Sequence, residues 1–333
     1  MSLSVIIVNY NSAKDIINCL ESALRFPSNG FEWIVVDNHS ADNNKEILTQ
    51  KFPFIKWIEM GYNAGFARAN NEGIKQAKGE AVLLLNPDTL ILDDAINKCY
   101  ERFINSSFVA CSVQLLNEDL SPQITGNFFM KGGLNHLLPL PYSGALLRKI
   151  AFAAKVKKTN VQQASAEQKA DWINGAFLMV KKSAIEKAGL MDEDFFLYFE
   201  EVEWCYRLGK IGELAVYGDL HVIHLQGESI NKATETVDKG YRNLFDKKGL
   251  QLMVSQHVRI RKQFGKSWLL LHLFFHTAEI PVFFICSVID NAVHLKNPFK
   301  DWGRIKGFTG NVFKLWSLFP AIYKNKPRFY KMF

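Results

Sequence analysis

The chain has 333 residues, 48% hydrophobic and 13% aromatic, which is the composition of a packed protein and excludes disorder. One large domain with an appendage is the natural expectation at that length, and the formal charge of +7 favours anionic partners such as nucleotides or acidic lipids. The five cysteines (Cys19, Cys99, Cys111, Cys205, Cys286) are scattered without a CxxC pair, so reduced thiols in a cytosolic setting are expected rather than a zinc site or a disulfide framework.

The chain opens on an apolar strand, Leu3 to Val8, with no basic leader before it, so no signal peptide is expected. That strand runs into Asn9-Tyr10-Asn11-Ser12 and a helix over Ala13 to Leu24, whose Ile16, Ile17, Leu20 and Leu24 share one face. Trp33 to Val36 predicts a second strand, closed by Asp37-Asn38-His39-Ser40 before a helix through Leu48. Ile55 to Met60 predicts a third, leading through Gly61-Tyr62-Asn63-Ala64-Gly65-Phe66 into a helix up to Gln76. The fourth, from Ala81 to Leu85, is apolar throughout, as in a strand buried on both faces, and stops at Asn86-Pro87-Asp88. Strand, polar tip and helix repeated at this pace mean a parallel sheet with right-handed crossovers.

In such a sheet ligands bind beyond the carboxyl ends of the strands, so Asn9, Asn11, Asp37, Asn38, Gly65, Asn70 and Asp88 are expected along one edge. An acid at the second tip can accept from a base N–H or a ribose hydroxyl. One carboxylate at the fourth suits a divalent cation carrying a diphosphate. Against that, Pro-Asp is ordinary turn chemistry, and Asp88 could cap the next helix, Asp93 to Phe103. Neither G-x-G-x-x-G after the first strand nor a P-loop is present, which leaves a mononucleotide-diphosphate site that uses a metal instead of a glycine cradle.

From Phe108 to Leu116 another strand is expected, then a turn over Asn117 to Gln123 and irregular chain from Gly126 to Lys158. Asn160 to Ala170 is polar, and order resumes over Asp171 to Val180, with Asn174-Gly175-Ala176-Phe177 inside it. A short helix, Ser183 to Ala188, follows, then Asp192-Glu193-Asp194. Next, five large apolar or aromatic residues, Phe195 to Phe199, precede Glu200, Glu201 and Glu203. Three carboxylates in a first helical turn are explained by the helix dipole, or by a general base tuned by apolar neighbours and adjacent acids. Short strands at Ala215 to Tyr217 and Leu220 to Ile223 lead to His224, with Gly227 and Ser229 beyond it. A lone His is usually structural, but one at a strand end could complete a metal site with Asp88.

Seven segments in this order resemble the family 2 glycosyltransferases of the GT-A fold, particularly their bacterial rhamnosyltransferase-like branch. They are Val8 to Ser12, Val36 to Ser40, Asn63 to Ala67, Asn86 to Asp88, Asn174 to Phe177, Phe199 to Glu203, and His224 with Gly227 and Ser229, covering roughly residues 3 to 230. The resemblance implies an α/β nucleotide-diphospho-sugar transferase fold, Rossmann-like, with a mostly parallel sheet flanked by helices. It implies an inverting transfer of one sugar from a nucleoside diphosphate sugar to a hydroxyl, with Mg²⁺ or Mn²⁺ neutralising the leaving group. Asp37 would contact the base or ribose of the donor, with Asn9, Asn11 and Asn38 nearby. Asp88 stands where the family's DXD motif has its last acid, the first being replaced by Asn86, and His224 matches the second metal ligand. The family's catalytic base matches Glu201; the pair here is Glu-Glu rather than Glu-Asp, so Glu200 and Glu203 stay rivals.

Beyond about Glu235 the resemblance fades. Trp268 to Leu295 is very apolar, interrupted by His272, His276, Glu279, Ser287, Asp290 and His294, which fall on one helical stripe, with Pro281 as a candidate kink. Aromatics from Phe313 to Tyr323 mix with Lys314, Lys324, Lys326, Arg328 and Lys331, a composition that fits anionic headgroups. The same helices could instead pack on the catalytic domain or on a second subunit as a homo-oligomer.

These observations lead to a catalytic domain over 1–235 and a helical, amphipathic, membrane-associating region over 236–333. The expected protein is a peripheral enzyme on the cytoplasmic face of the bacterial plasma membrane. It would extend a lipid-linked saccharide during surface polysaccharide synthesis; the rhamnosyltransferase-like resemblance implies dTDP-rhamnose as donor, with a UDP-sugar (galactofuranose, N-acetylhexosamine or hexose) as the alternative. A nucleotidyltransferase would want a glycine-rich loop with Lys or Arg after the first strand, and Asn9 to Ser12 is not that. A nucleic-acid partner is not expected, because the acidic stretch Asp192 to Glu203 opposes it.

Overall fold

The computed structural model describes residues 2–27, 30–41, 44–226 and 243–333. Its elements in chain order begin β1 (Leu3–Asn9), α1 (Ala13–Ala23), β2 (Glu32–Asp37), α2 (Asn44–Lys51), β3 (Lys56–Glu59), α3 (Gly65–Gln76) and β4 (Ala81–Leu85). β5 (Thr89–Ile91), α4 (Ala95–Ile104), β6 (Ala110–Leu116), β7 (Gly126–Asn127), α5 (Ser143–Ala153), β8 (Asn160–Val161) and β9 (Gln168–Ala170) follow. Then come β10 (Trp172–Ile173), β11 (Phe177–Lys181), α6 (Lys182–Ala188), α7 (Glu200–Leu208) and β12 (Leu214–His224), and finally α8 (Lys247–Phe264), α9 (Lys266–Val293) and α10 (Trp302–Lys324).

Two compact units emerge. The first comprises residues 1–128, 160–196 and 200–230, the second residues 129–159, 197–199 and 231–333. The first is built on a sheet in the order β3-β2-β1-β4-β11-β6-β12-β5, with β9 beside β12. β3, β2, β1 and β4 are parallel, and the apolar runs of β2, β1 and β4 suit strands covered by helices on both faces. After β4 the sheet turns mixed: β11 is antiparallel to β4 and β6, β12 is parallel to β6, and β5 is antiparallel to β12.

Successive residues of β1 feed opposite cores. Val5 and Ile7 pack with Val35 and Leu83 on one side; Ile6 packs with Ile34, Val36 and Leu84 on the other. Strand order reverses around β1, since β2 lies on one side of it and β4 on the other. That reversal opens a crevice at the carboxyl ends of these strands. Asp88 does not cap the following helix: β5 intervenes, and the residue before α4 is Asp94.

The second unit is helical. α8, α9 and α10 pack with α5 and a short 3₁₀ segment, Lys131–Leu137, from the stretch whose sequence shows no periodicity. Pro281 does not interrupt α9, which runs unbroken for 28 residues. The polar stripe expected along it exists, and His272, His276, Glu279 and Ser287 are all buried; Asp290 and His294, at its far end, are exposed.

Candidate active site

Three strand tips meet at the crevice. Asn9 and Asp37 are register partners at the ends of β1 and β2, and Asn9 Nδ2 donates to Asp37 Oδ1 at 2.9 Å. Asp37 Oδ2 accepts from Ser40 N at 3.2 Å, so both oxygens are held while each keeps a lone pair for a ligand. Asn11 sits at φ 55° and its Oδ1 accepts from Ala41 N at 2.8 Å, tying the first tip to the second. Asn38 ties the second to the third: its Oδ1 accepts from Ala64 N at 2.7 Å and its Nδ2 donates to Asn63 Oδ1 at 3.1 Å.

Gly65 and Asn70 have local work that their motif does not reveal. Gly65 adopts φ +75°, and a Cβ there would lie 2.2 Å from Phe196 O, the atom that accepts from Phe66 N. Only glycine fits that approach. Asn70 is buried and donates to Phe66 O at 2.9 Å, one turn back in its own helix.

Asp88 and His224 are 136 positions apart in the chain, yet the antiparallel pairing of β5 with β12 sets Thr89 opposite His224. Asp88 Oδ1 is 3.5 Å from His224 Nε2, and Asn86 Nδ2 is 3.4 Å from the same nitrogen. Leu225 N donates to Asp88 O at 2.9 Å and locks the corner. Gly227 and Ser229 lie outside the described residues.

Gln123, which the sequence places only in a turn, sits behind His224. Its Nε2 donates to Leu116 O at 3.1 Å and to His224 O at 2.6 Å, so its Oε1 must face His224 Nδ1, 3.2 Å away. Nδ1 therefore carries the proton and Nε2 turns a lone pair toward Asp88. A carboxylate and an imidazole so oriented fit a borderline or hard divalent cation, with oxygens of a bound diphosphate to fill the remaining positions.

The acidic helix joins this corner through the Asn174 to Phe177 strap. Asn86 N donates to Ala176 O at 2.9 Å, and a Cβ on Gly175 would stand 3.6 Å from Cβ and Cγ of Glu201. Asn174 Oδ1 accepts from Ala176 N at 2.9 Å and sets the turn. Glu201 is half-buried. Glu200 is buried, with Oε2 finding no partner among the described residues; burial first, and the neighbouring Glu201 second, push its carboxyl well above the usual range. Glu203 is taken by Arg207, which meets both its oxygens at 2.8–3.0 Å and also donates to Ala188 O and Leu190 O. The chain enters α7 through Tyr198 and Phe199, both at φ 69°, a conformation that bulky residues adopt only under constraint.

A mixed α/β sheet of this order flanked by helices is the GT-A architecture. The structure of GalNAc-T7 with UDP, GalNAc and Mn²⁺ superposes with a TM-score of 0.55 at 13% identity, covering 99% of this chain and 58% of that one. Residues 4–142 match the model of glycosyl transferase family 2. The low-salt glycan biosynthesis hexosyltransferase Agl10 of Haloferax volcanii is 31% identical over 232 residues, 66% of each chain. An N-acetylglucosaminyl-diphospho-decaprenol L-rhamnosyltransferase of Mycobacterium tuberculosis is 24% identical over 246 residues, 69% of this chain and 78% of that one. Other curated relatives are matched over as little as 45% of their length. The chain belongs to glycosyl transferase family 2.

Proposed function

We propose that the protein transfers one sugar, with inversion, from a nucleoside diphosphate sugar to a hydroxyl of a lipid-linked saccharide. The observation that carries this reading is the strap of Asn174 to Phe177, which sets Glu201 beside the Asp88–His224 corner. Asp88 and His224 would hold Mg²⁺ or Mn²⁺, which when bound would neutralise the leaving diphosphate. Asp37 accepts from the base or ribose, with Asn9, Asn11 and Asn38 fixing its position. Glu201 takes the acceptor proton as the hydroxyl attacks. Burial and the neighbouring Glu201 raise the Glu200 carboxyl well above the usual range, which makes Glu200 the weaker candidate for an ionised base. The bidentate contact of Arg207 with both oxygens of Glu203 favours Glu201 over Glu203 as base.

dTDP-L-rhamnose is the donor we favour, on the names of two relatives: the mycobacterial rhamnosyltransferase and a dTDP-rhamnosyl transferase of Shigella flexneri at 26% identity. A hexosyl donor is the second reading, favoured by the 31% identity to a protein named hexosyltransferase. We assign the catalytic role to 1–235 and membrane association, on the cytoplasmic face, to 236–333. The deciding experiment is competition binding of dTDP, UDP and GDP with Mn²⁺, followed by turnover with the matching sugar donors. Binding of none of them, with or without Mn²⁺, overturns the reading; UDP ranking well above dTDP replaces rhamnose with the second donor class.

A further inference from the structure

Along α9 the second unit buries a polar stripe and exposes apolar side chains on the other face. Along α9 the buried polar groups are satisfied internally. His272 Nε2 meets Gly132 O at 2.8 Å and His276 Nδ1 meets His272 O at 2.9 Å. Glu279 accepts from Tyr142 N at 2.6 Å and from Ser143 N at 3.1 Å, at the start of α5. The opposite face carries Leu270, Phe274, Phe284, Ile285 and Ile289, each between 38 and 63% exposed. Between Ser267 and Asp290 the one Asp, Glu, Lys or Arg is Glu279, which is buried. A helix bordering water shows the reverse arrangement.

α10 extends the face. Trp316 Nε1 donates to Thr277 Oγ1 at 3.0 Å, and the Trp302 ring lies 6.2 Å from that of Phe284. In the same unit α5 exposes Leu146, Ile150 and Phe152, the last 88% exposed. Apolar surface on this scale marks an interaction site. Exposed cations frame it: Lys266 at one end of α9, Lys296 and Lys300 past the other, Lys306 and Lys314 along α10. A second copy would set these charges against themselves, whereas anionic headgroups complement them.

We propose that this face seats the second unit in the boundary between headgroups and acyl chains of an anionic bilayer, with α9 lying in the membrane plane rather than crossing it. α9 is long and apolar enough to cross by length and composition alone. Trp316, however, meets α9 at Thr277, near its middle, and Lys314 is two residues away. A crossing helix would carry that ammonium into mid-hydrocarbon, whereas an in-plane one lets it reach the headgroups. The inference rests on the peripheral-membrane reading above and deepens it by naming the face and the mode: cations guide approach, and apolar side chains hold the protein there.

The test is flotation of the full chain with vesicles of phosphatidylcholine alone or enriched in phosphatidylglycerol, followed by a high-salt wash. The wild type should float with the anionic vesicles and stay bound through the wash. Phe274→Ser/Ile285→Ser/Ile289→Ser, all at exposed positions, should bind at least about tenfold less, since each change removes apolar surface that the lipid would cover. Brominated acyl chains should quench wild-type tryptophan fluorescence, a readout that needs no variant. Complete release by salt, equal flotation of the triple variant, or absence of quenching overturns the proposal. So does a wild-type dimer in light scattering that the triple change converts to monomer. Nucleotide binding is measured in parallel: a wild type that floats but binds no nucleotide sinks the donor reading and leaves this face standing.

Discussion

His224 presents a lone pair at Nε2 because Gln123, locked by two carbonyls, accepts at the other ring nitrogen. Gln123→Met keeps the volume and removes the acceptor, freeing the ring to rotate or change tautomer. Mn²⁺ affinity in the presence of nucleotide should then fall by about 10- to 100-fold, as for other losses of a partner behind a metal ligand. Titration of free Mn²⁺ by electron paramagnetic resonance reads this directly, and unchanged affinity removes Gln123 from the role. Glu201 and Glu200 should separate as sharply. Glu201→Gln keeps shape but not basicity, so donor affinity should hold while turnover drops about 10²- to 10⁴-fold. Glu200 is an acid whose carboxyl is raised by burial, so the folded state holds its proton at pH values where the unfolded state has lost it. Its contribution to stability falls as pH rises above about 4.5, and Glu200→Gln removes that slope. A Tm gain of about 2–4 °C at neutral pH, vanishing in acid, is expected from calorimetry. A variant that loses Tm at neutral pH contradicts the raised carboxyl.

Among elements, the α3 entry shows how backbone and site depend on each other. Gly65→Ala must hold φ +75° and also push Phe196 O away from a Cβ 2.2 Å off. The cost is on the order of 2 kcal/mol or more, visible in urea unfolding, and a neutral result contradicts the close approach. β1, β2 and β4 were legible because buried parallel strands are apolar in their middles, and β3 from its place in the repeat of strand, tip and helix; Asn9 and Asp37 end their strands, and Asp88 lies in the turn after β4. β5 was not, because three residues after a proline turn carry no period, and the two short strands expected at Ala215 to Tyr217 and Leu220 to Ile223 are one continuous β12 running through Gly218 and Asp219. Gln123 was illegible for a related reason. Its partner is 101 positions away, and nothing local distinguishes it from any turn residue. The polar stripe of α9 was legible as a stripe, since periodicity shows which residues share a face. Which face turns inward depends on the carbonyls of Gly132 and the amides of Tyr142 and Ser143, supplied by a segment with no periodicity of its own.

At the scale of the whole molecule, the second unit gathers four histidines, three of them buried and His136 partly so, and this sets its response to acid. His136, His257, His272 and His276 all have their basicity lowered, chiefly by burial; His272 and His276 come down to about 4. Arg259 stands 2.6 Å from His136 Nε2, and His257 packs edge-on against His276 at 4.7 Å, so a proton on any of them meets positive or hydrogen-bonded neighbours. These are bases with folded values below the unfolded 6.5, so the unfolded chain binds more protons as pH falls. Their contribution is complete above pH 6.5 and is lost progressively toward pH 4. A histidine lowered that far gives up roughly 3 kcal/mol across the window. Among its described residues the first unit buries one histidine, His224. Hydrogen exchange between pH 7 and 4.5 should therefore show α8 and α9 losing protection before β1 to β4. His276→Leu, which keeps an apolar filling and removes one titrating ring, should make that loss shallower. If the strands of the first unit open first, or if His276→Leu leaves the pH dependence of α9 unchanged, the acid sensitivity does not reside in this buried group.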